Sequence, residues 1–122
     1  MRIEEAADRS GLSADTIRFY EKSRMLPAIA RDARGWRRFA PDDLDWLIVL
    51  ERLRATGMPL EAVKAFAASA QGPNSETPEE EAKRLALLEA HAETLADRRK
   101  KLDQCEAYLT KKIDIYRNKL GP

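Results

Sequence analysis

The chain has 122 residues, 35% of them charged and 7% aromatic, which suits one small globular domain with one extended, highly charged element. Its formal net charge of +1 neither favours nor excludes a nucleic-acid partner. The absence of any run of about 18 apolar residues excludes a membrane span, and the N-terminal residues are not typical of a signal peptide. A single cysteine and a single histidine exclude an internal disulfide and a zinc site within one chain, so a cytoplasmic protein without metal or cofactor is expected.

The sequence first predicts two short helices joined by a tight turn. Residues 3–10 have apolar positions at helical spacing, and Ser13 is a favourable N-cap for a second helix that ends near residue 23. The Gly-Leu-Ser segment between them is the tight turn of a helix-turn-helix. Arg18 and Lys22, four residues apart on the second helix, share a face that is expected to point outward.

A β-hairpin rich in arginine is predicted next, over residues 29–39. Its middle, Asp-Ala-Arg-Gly, has turn chemistry, and apolar or aromatic residues flank it on both sides. Residues 13–38 hold seven basic and three acidic side chains, so this segment is locally strongly basic. A local basic face on a near-neutral protein is a plausible phosphate-binding surface.

Two further helices and a linker follow. Pro41 opens a third helix and Gly57 stops it, and Pro59 starts a fourth helix. Residues 71–76 are a linker by composition. The apolar residues expected on the inner faces of these two helices are Leu44, Leu47, Ile48, Leu53, Leu60, Val63 and Phe66.

A coiled-coil helix of about 40 residues is predicted from Thr77 onward. Thr77 and Glu80 form a capping box, and leucines then recur every seven residues. A helix about 60 Å long cannot bury its apolar seam against a small domain, so a second copy of the chain is expected to cover it. Arg99 and Glu106 interrupt the seam near its middle, where opposite charges of antiparallel partners can meet. The predicted interface residues are Leu85, Leu88, Leu95, Leu102, Leu109, Ile113 and Tyr116.

Three segments together resemble the MerR family of bacterial transcription regulators: GLSADTIRFYE at 11–21, RDARGWRRF at 31–39 and LRATGMPLEAVKAF at 53–66. The resemblance implies a mainly α fold, with a winged helix-turn-helix domain over 1–70, the linker over 71–76 and a dimerisation helix over 77–120. It is closest to small members without a C-terminal effector domain. It further implies a homodimer that binds a pseudo-palindromic promoter spacer and distorts it so that RNA polymerase can engage both promoter elements.

Residue roles follow from the same resemblance. The second helix would lie in the major groove, where Arg18 would meet a base edge or a phosphate, and Arg37 of the wing would bind phosphate. The alternatives are a solvated helix charge for Arg18, a role of Asp15 at the helix dipole, packing of Tyr20 in the core, and solvation of Arg54 or Lys64. The predicted DNA-binding residues are Asp15, Thr16, Arg18, Tyr20, Arg34, Trp36, Arg37, Arg38, Arg54 and Lys64.

Two further questions concern regulation and function class. The resemblance implies that metal-sensing members carry a cysteine at the start of the dimerisation helix, and residues 72–81 contain none, so metal sensing is disfavoured. Cys105 is then either a thiol sensor or a small apolar residue beside the seam. An architectural or adaptor DNA-binding protein is the alternative to a regulator. An enzyme is not expected, because the sequence offers no histidine–carboxylate pair, activated nucleophile or phosphate loop.

Overall fold

Five helices and one two-stranded sheet form the part of the chain that the computed structural model describes, which is residues 1–68 and 77–121. The elements are α1 (Ile3–Ser10), α2 (Ala14–Lys22), β1 (Ala30–Arg31), β2 (Arg37–Arg38), α3 (Pro41–Ala55), α4 (Leu60–Ala67) and α5 (Pro78–Leu120). The predicted mainly α fold with a small antiparallel hairpin and a long C-terminal helix is confirmed. The predicted linker over 71–76 lies outside the described residues, and no described helix combines the length and the apolarity needed to cross a membrane.

The turn between α1 and α2 forms as the local sequence predicts. Gly11 ends α1 in the left-handed conformation, with φ of +82°, which a residue bearing a Cβ rarely adopts. Ser13 then caps α2, because its hydroxyl oxygen accepts the Thr16 backbone N–H at 3.1 Å. α1 packs against both α2 and α3, so the turn fixes the orientation of α2 on the domain.

The core lies between these helices. Ile17 of α2, Leu47 and Leu50 of α3 and Val63 of α4 are essentially inaccessible to solvent, and Met25 joins them from the segment after α2. The predicted inner face of α4 is confirmed in its buried Val63 and Phe66. On α3 the buried face follows Leu47, Leu50 and Leu53, whereas Leu44 and Ile48, which were expected there, are only half-buried.

Helix α5 begins with the predicted capping box. The Glu80 backbone N–H donates to the Thr77 hydroxyl at 3.2 Å, and the Thr77 backbone N–H donates to the Glu80 carboxylate at 3.4 Å. The structure divides into two compact units, Met1–Leu87 and Leu88–Pro122. The first ten residues of α5 therefore belong to the first unit, which also contains α1 to α4 and the hairpin.

Candidate nucleic-acid interface

The outward face of α2 presents Arg18 to solvent. Its Nη1 lies 2.9 Å from an oxygen of Asp15, one turn earlier, with 47% of the Arg18 side chain and 95% of the Asp15 side chain exposed. An ion pair this exposed contributes about 0–1 kcal/mol, so Arg18 can exchange it for another anion at little cost. Thr16 lies in the same turn, and its hydroxyl oxygen accepts the hydroxyl hydrogen of Ser13 at 2.9 Å.

The hairpin, called the wing below, is closed by Asp32. Ala30 pairs with Arg38 and Arg31 pairs with Arg37 in antiparallel register. One carboxylate oxygen of Asp32 accepts the backbone N–H groups of Arg34 and Trp36 at 2.9 and 3.0 Å. The N–H of Trp36, followed by that of Arg34 and the charge of Arg38, holds the pKa of Asp32 below its ordinary value of 3.8.

This turn places three of the predicted DNA-binding residues on the surface. Arg34, Trp36 and Arg38 are all exposed, and Nε of Arg38 lies 3.8 Å from Asp32. Gly35 completes the turn with φ of +81°. A short polar turn with one glycine is sufficient to form the hairpin. Strands of only two residues can therefore present Arg34, Trp36 and Arg38 to solvent.

Glu21 ties the wing to the C-terminal end of α2. Its carboxylate oxygen accepts Nε–H of Arg37 at 2.7 Å and lies 3.6 Å from Nη2 of Arg31. The side chains of Arg37 and Glu21 are 24% and 23% exposed, so water screens this ion pair less than it screens the pair of Arg18 and Asp15. A guanidinium carries five N–H donors, and binding Glu21 through Nε leaves Arg37 with donors for a second anion.

A cavity of about 240 Å³ lies beside this ion pair, where the N-terminal end of α1, α2 and the wing meet. Cζ of Arg2 stacks over the Trp36 ring at 4.1 Å from its centroid. The residues that line the cavity are Arg2, Ile3, Glu4, Arg18, Arg31, Gly35, Trp36 and Arg37. Four arginines thus line one open cavity, which is called the arginine pocket below.

Two of these arginines were not predicted from the sequence as binding residues. Arg31 lies within the basic segment 13–38, so its charge was counted there without a role. Arg2 lies outside that segment, and only its stacking on Trp36, 34 residues away in the chain, brings it to the wing. A lone arginine near the N-terminus carries no sequence signal for such a contact.

The other predicted DNA-binding residues, Tyr20, Arg54 and Lys64, differ in their exposure and contacts. Tyr20 is 4% exposed and belongs to the core, which favours the packing alternative, and burial raises the pKa of its hydroxyl. Arg54 is exposed and donates from Nη1 to the Met58 carbonyl at 3.1 Å. Lys64 lies 4.0 Å from Glu61 and 5.8 Å from the ring centroid of Phe19. Contact of Arg54 and Lys64 with DNA stays a prediction.

A second, apolar surface runs along α5. Leu102 and Leu109 are 69% and 60% exposed, and Leu85, Leu88, Ile113 and Tyr116 are also open to solvent; Leu95 is half-buried. Large apolar side chains exposed at regular helical spacing mark an interaction surface. Cys105 is a free, exposed thiol on the same helix.

Comparison with known proteins gives a consistent family. Residues 1–70 match the family described as MerR HTH family regulatory protein, and residues 44–112 match the family described as MerR, DNA binding. An HTH-type transcriptional regulator of Haemophilus influenzae is 49% identical over 63 residues, which cover 52% of this chain and 47% of the relative. The chain thus spans about half the length of that relative.

Two longer alignments extend over nearly the whole chain. The HTH-type regulator YyaN of Bacillus subtilis is 28% identical over 93% of this chain and 88% of its own length. The crystal structure of HiNmlR, described as a MerR family regulator lacking the sensor domain and bound to promoter DNA, matches with a TM-score of 0.77. Its identity is 36%, over 95% of this chain and 85% of that one. With the helix-turn-helix, the wing and the long helix in place, the chain belongs to the MerR family of helix-turn-helix regulatory proteins.

Proposed function

We propose that this protein is a sequence-specific, DNA-binding transcription regulator that acts as a homodimer. The observation that carries the proposal is the joint placement of the exposed face of α2 and the wing arginines, which Glu21 holds together. Such an arrangement suits a helix in the major groove with a wing on the adjacent backbone. HiNmlR, the related protein of similar structure, was solved on promoter DNA.

The dimer part of the proposal rests on α5. The exposed leucines of its seam recur at the spacing of a coiled coil, and a second copy of the chain presents the same seam. A twofold dimer would place two α2 helices on two half-sites of a pseudo-palindromic operator.

The regulatory part of the proposal concerns the promoter. A stiff dimer that engages two half-sites at once can bend or untwist the DNA between them. Contacts with the DNA backbone offset the free-energy cost of this deformation. RNA polymerase is then the partner that reads the altered spacing. Enzymatic turnover has no place in this scheme.

The first test is selection of an operator from random duplexes with the full-length protein, followed by anisotropy titration. We expect affinity for the selected operator to exceed that for random DNA by at least ~10³-fold. A ratio near one would instead support an architectural DNA-binding protein. In vitro transcription from a promoter carrying the operator then measures regulation directly.

Two substitutions test the residue roles within that assay. Arg37→Ala is expected to weaken binding to all sequences and to reduce the slope of log K against log salt by about one. Arg18→Ala should in addition lower the ratio of operator to random affinity, because a base contact discriminates by about 1–3 kcal/mol. Equal losses on both DNAs for Arg18→Ala would remove Arg18 from base recognition. Arg9→Ala, which removes an exposed arginine from the last turn of α1, is the matched control.

A further inference from the structure

We propose that Arg2 is a DNA-binding residue, and that the arginine pocket binds one phosphodiester group of the DNA backbone. The inference rests on the proposed function and extends it to the N-terminal end of α1. The pocket is continuous with the exposed face of α2 through Arg18 and with the wing through Arg31 and Trp36.

The first argument is the position of the Arg2 side chain. Arg2 is exposed and its guanidinium lies over the Trp36 ring, with Cζ 4.1 Å from the centroid. Stacking on an aromatic face fixes the plane of a guanidinium and leaves its edge N–H donors available for an oxyanion. Trp36 is itself 47% exposed, so an exposed tryptophan that stabilises no core has a clear use as a platform.

The second argument is the balance of charge around the pocket. Four arginines and one acidic residue, Glu4, line it. Glu21 partly neutralises Arg31 and Arg37, and Asp15 partly neutralises Arg18. Among residues 1–68 and 77–121 no carboxylate forms an ion pair with Arg2 within 4.0 Å, and its nearest opposing charges, Glu4 in the lining and Asp32 of the wing, leave the pocket with an excess of positive charge.

The third argument concerns the chemistry of the ligand. Convergent guanidinium groups match the geometry of phosphate oxygens, and the pocket is open rather than enclosed. Backbone phosphates are the anions that a surface continuous with α2 and the wing would meet first. Contact with a phosphate adds affinity on every sequence without reading a base.

The experiment compares Arg2→Ala with Arg9→Ala in the full-length protein. Arg9 is an exposed arginine in the last turn of the same helix, so the two variants lose the same charge. Anisotropy titrations on the selected operator and on random DNA, over a range of salt concentrations, give affinities and salt slopes. For Arg2→Ala we expect about tenfold weaker binding on both DNAs and a salt slope smaller by about one. Arg9→Ala should leave both within about twofold.

Two further variants test the platform and guard against misfolding. Arg2→Lys keeps the charge, so its salt slope should stay that of the unmodified protein even if its affinity falls. Trp36→Ala should weaken binding, and the double variant should be little weaker than Arg2→Ala alone, since both changes remove one contact. Thermal melts of each variant check that the fold is retained.

The outcomes separate the inference from the proposed function. Equal behaviour of Arg2→Ala and Arg9→Ala would overturn the inference while operator preference of the unmodified protein stands. A loss confined to the operator would also overturn it, because a backbone phosphate is present in every duplex. An unmodified protein without operator preference would overturn the proposed function, yet a salt slope reduced by Arg2→Ala on random DNA would still support the phosphate contact.

Discussion

The carboxylate of Glu21 binds two arginines of the wing, although both arginines lie on the surface proposed to meet a polyanion. An acidic residue in that position opposes DNA binding by simple charge. Its value lies in geometry, because it fixes Arg31 and Arg37 at one distance from α2. Without Glu21 the two arginine side chains would be free in the unbound protein, and immobilising them on DNA would cost conformational entropy.

Glu21→Ala separates these two effects. Removal of a negative charge alone would strengthen DNA binding, whereas release of the wing should weaken it. We expect affinity to fall about fivefold, the equivalent of a partly exposed ion pair worth about 1 kcal/mol. Anisotropy titration on the selected operator measures the change. Asp45→Ala, which removes an exposed carboxylate from α3, should leave binding unchanged or slightly tighter, and a similar gain for Glu21→Ala would contradict the ordering role.

Asp32 has a comparable ordering role within the wing itself. Its carboxylate accepts two backbone N–H groups, which favour the ionised form and lower its pKa. A group with a lowered folded-state pKa contributes stability above its ordinary value of 3.8. That contribution is lost as the pH falls from 3.8 through the lower folded-state value.

This behaviour can be measured on the wing directly. The amide resonances of Arg34 and Trp36 should move together on acidification, with a common midpoint below 3.8. Asp32→Asn keeps an acceptor oxygen and should remove this titration while the wing stays formed at neutral pH. A midpoint above 3.8 would show that the two N–H groups do not stabilise the charged carboxylate.

At the scale of elements, local signals in the sequence were sufficient for the helix boundaries. Ser13 and Thr77 form the caps expected of them, because a cap is made by residues three positions apart. The face of α3 was harder to predict. Leu50 was not expected in the core, yet it is fully buried, since it lies three residues from both Leu47 and Leu53 on the face of α3 that α1 and α4 cover.

The binding surface was predictable from the sequence only in part, because some of its contacts join residues of different elements. Arg18 and the wing arginines stand in the predicted elements, so their exposure followed from the pattern. The pairing of Glu21 with Arg37 and the stacking of Arg2 on Trp36 join residues from different elements. Such pairs depend on how the elements pack, which the periodicity of one chain does not specify. Tyr20 illustrates the reverse case, because its amphipathic side chain suited both a contact and the core.

At the scale of the whole molecule, the exposed seam of α5 carries the proposed dimer. A charge placed at Leu102 would have to be buried between two helices, which is costly without a partner. We therefore expect Leu102→Asp to raise the dimer dissociation constant by at least about 100-fold. Sedimentation equilibrium gives that constant, with Gln104→Asp as a control at an exposed position on the face of α5 opposite the seam. Unchanged association of Leu102→Asp would argue that another surface joins the copies.

The N-terminal part of α5 packs inside the first compact unit. Arg84 of α5 is 7% exposed, donates from Nε to the Phe66 carbonyl at 2.9 Å and lies 4.9 Å from the Trp46 ring centroid. Trp46 and Phe66 stack at 5.4 Å, and Leu87 packs against the edge of the core. Burial lowers the pKa of Arg84, but an arginine remains charged at neutral pH.

This arrangement has a practical meaning for work on isolated fragments. A fragment cut after α4 would uncover the stacked faces of Trp46 and Phe66 and leave a carbonyl at the helix end without its arginine donor. Exposed aromatic surface of this kind promotes self-association. A fragment that ends beyond Leu87 keeps Arg84, which lies over both rings, and Leu87, which packs against the core. It is the shorter form to choose for crystals or for spectroscopy of the first compact unit alone.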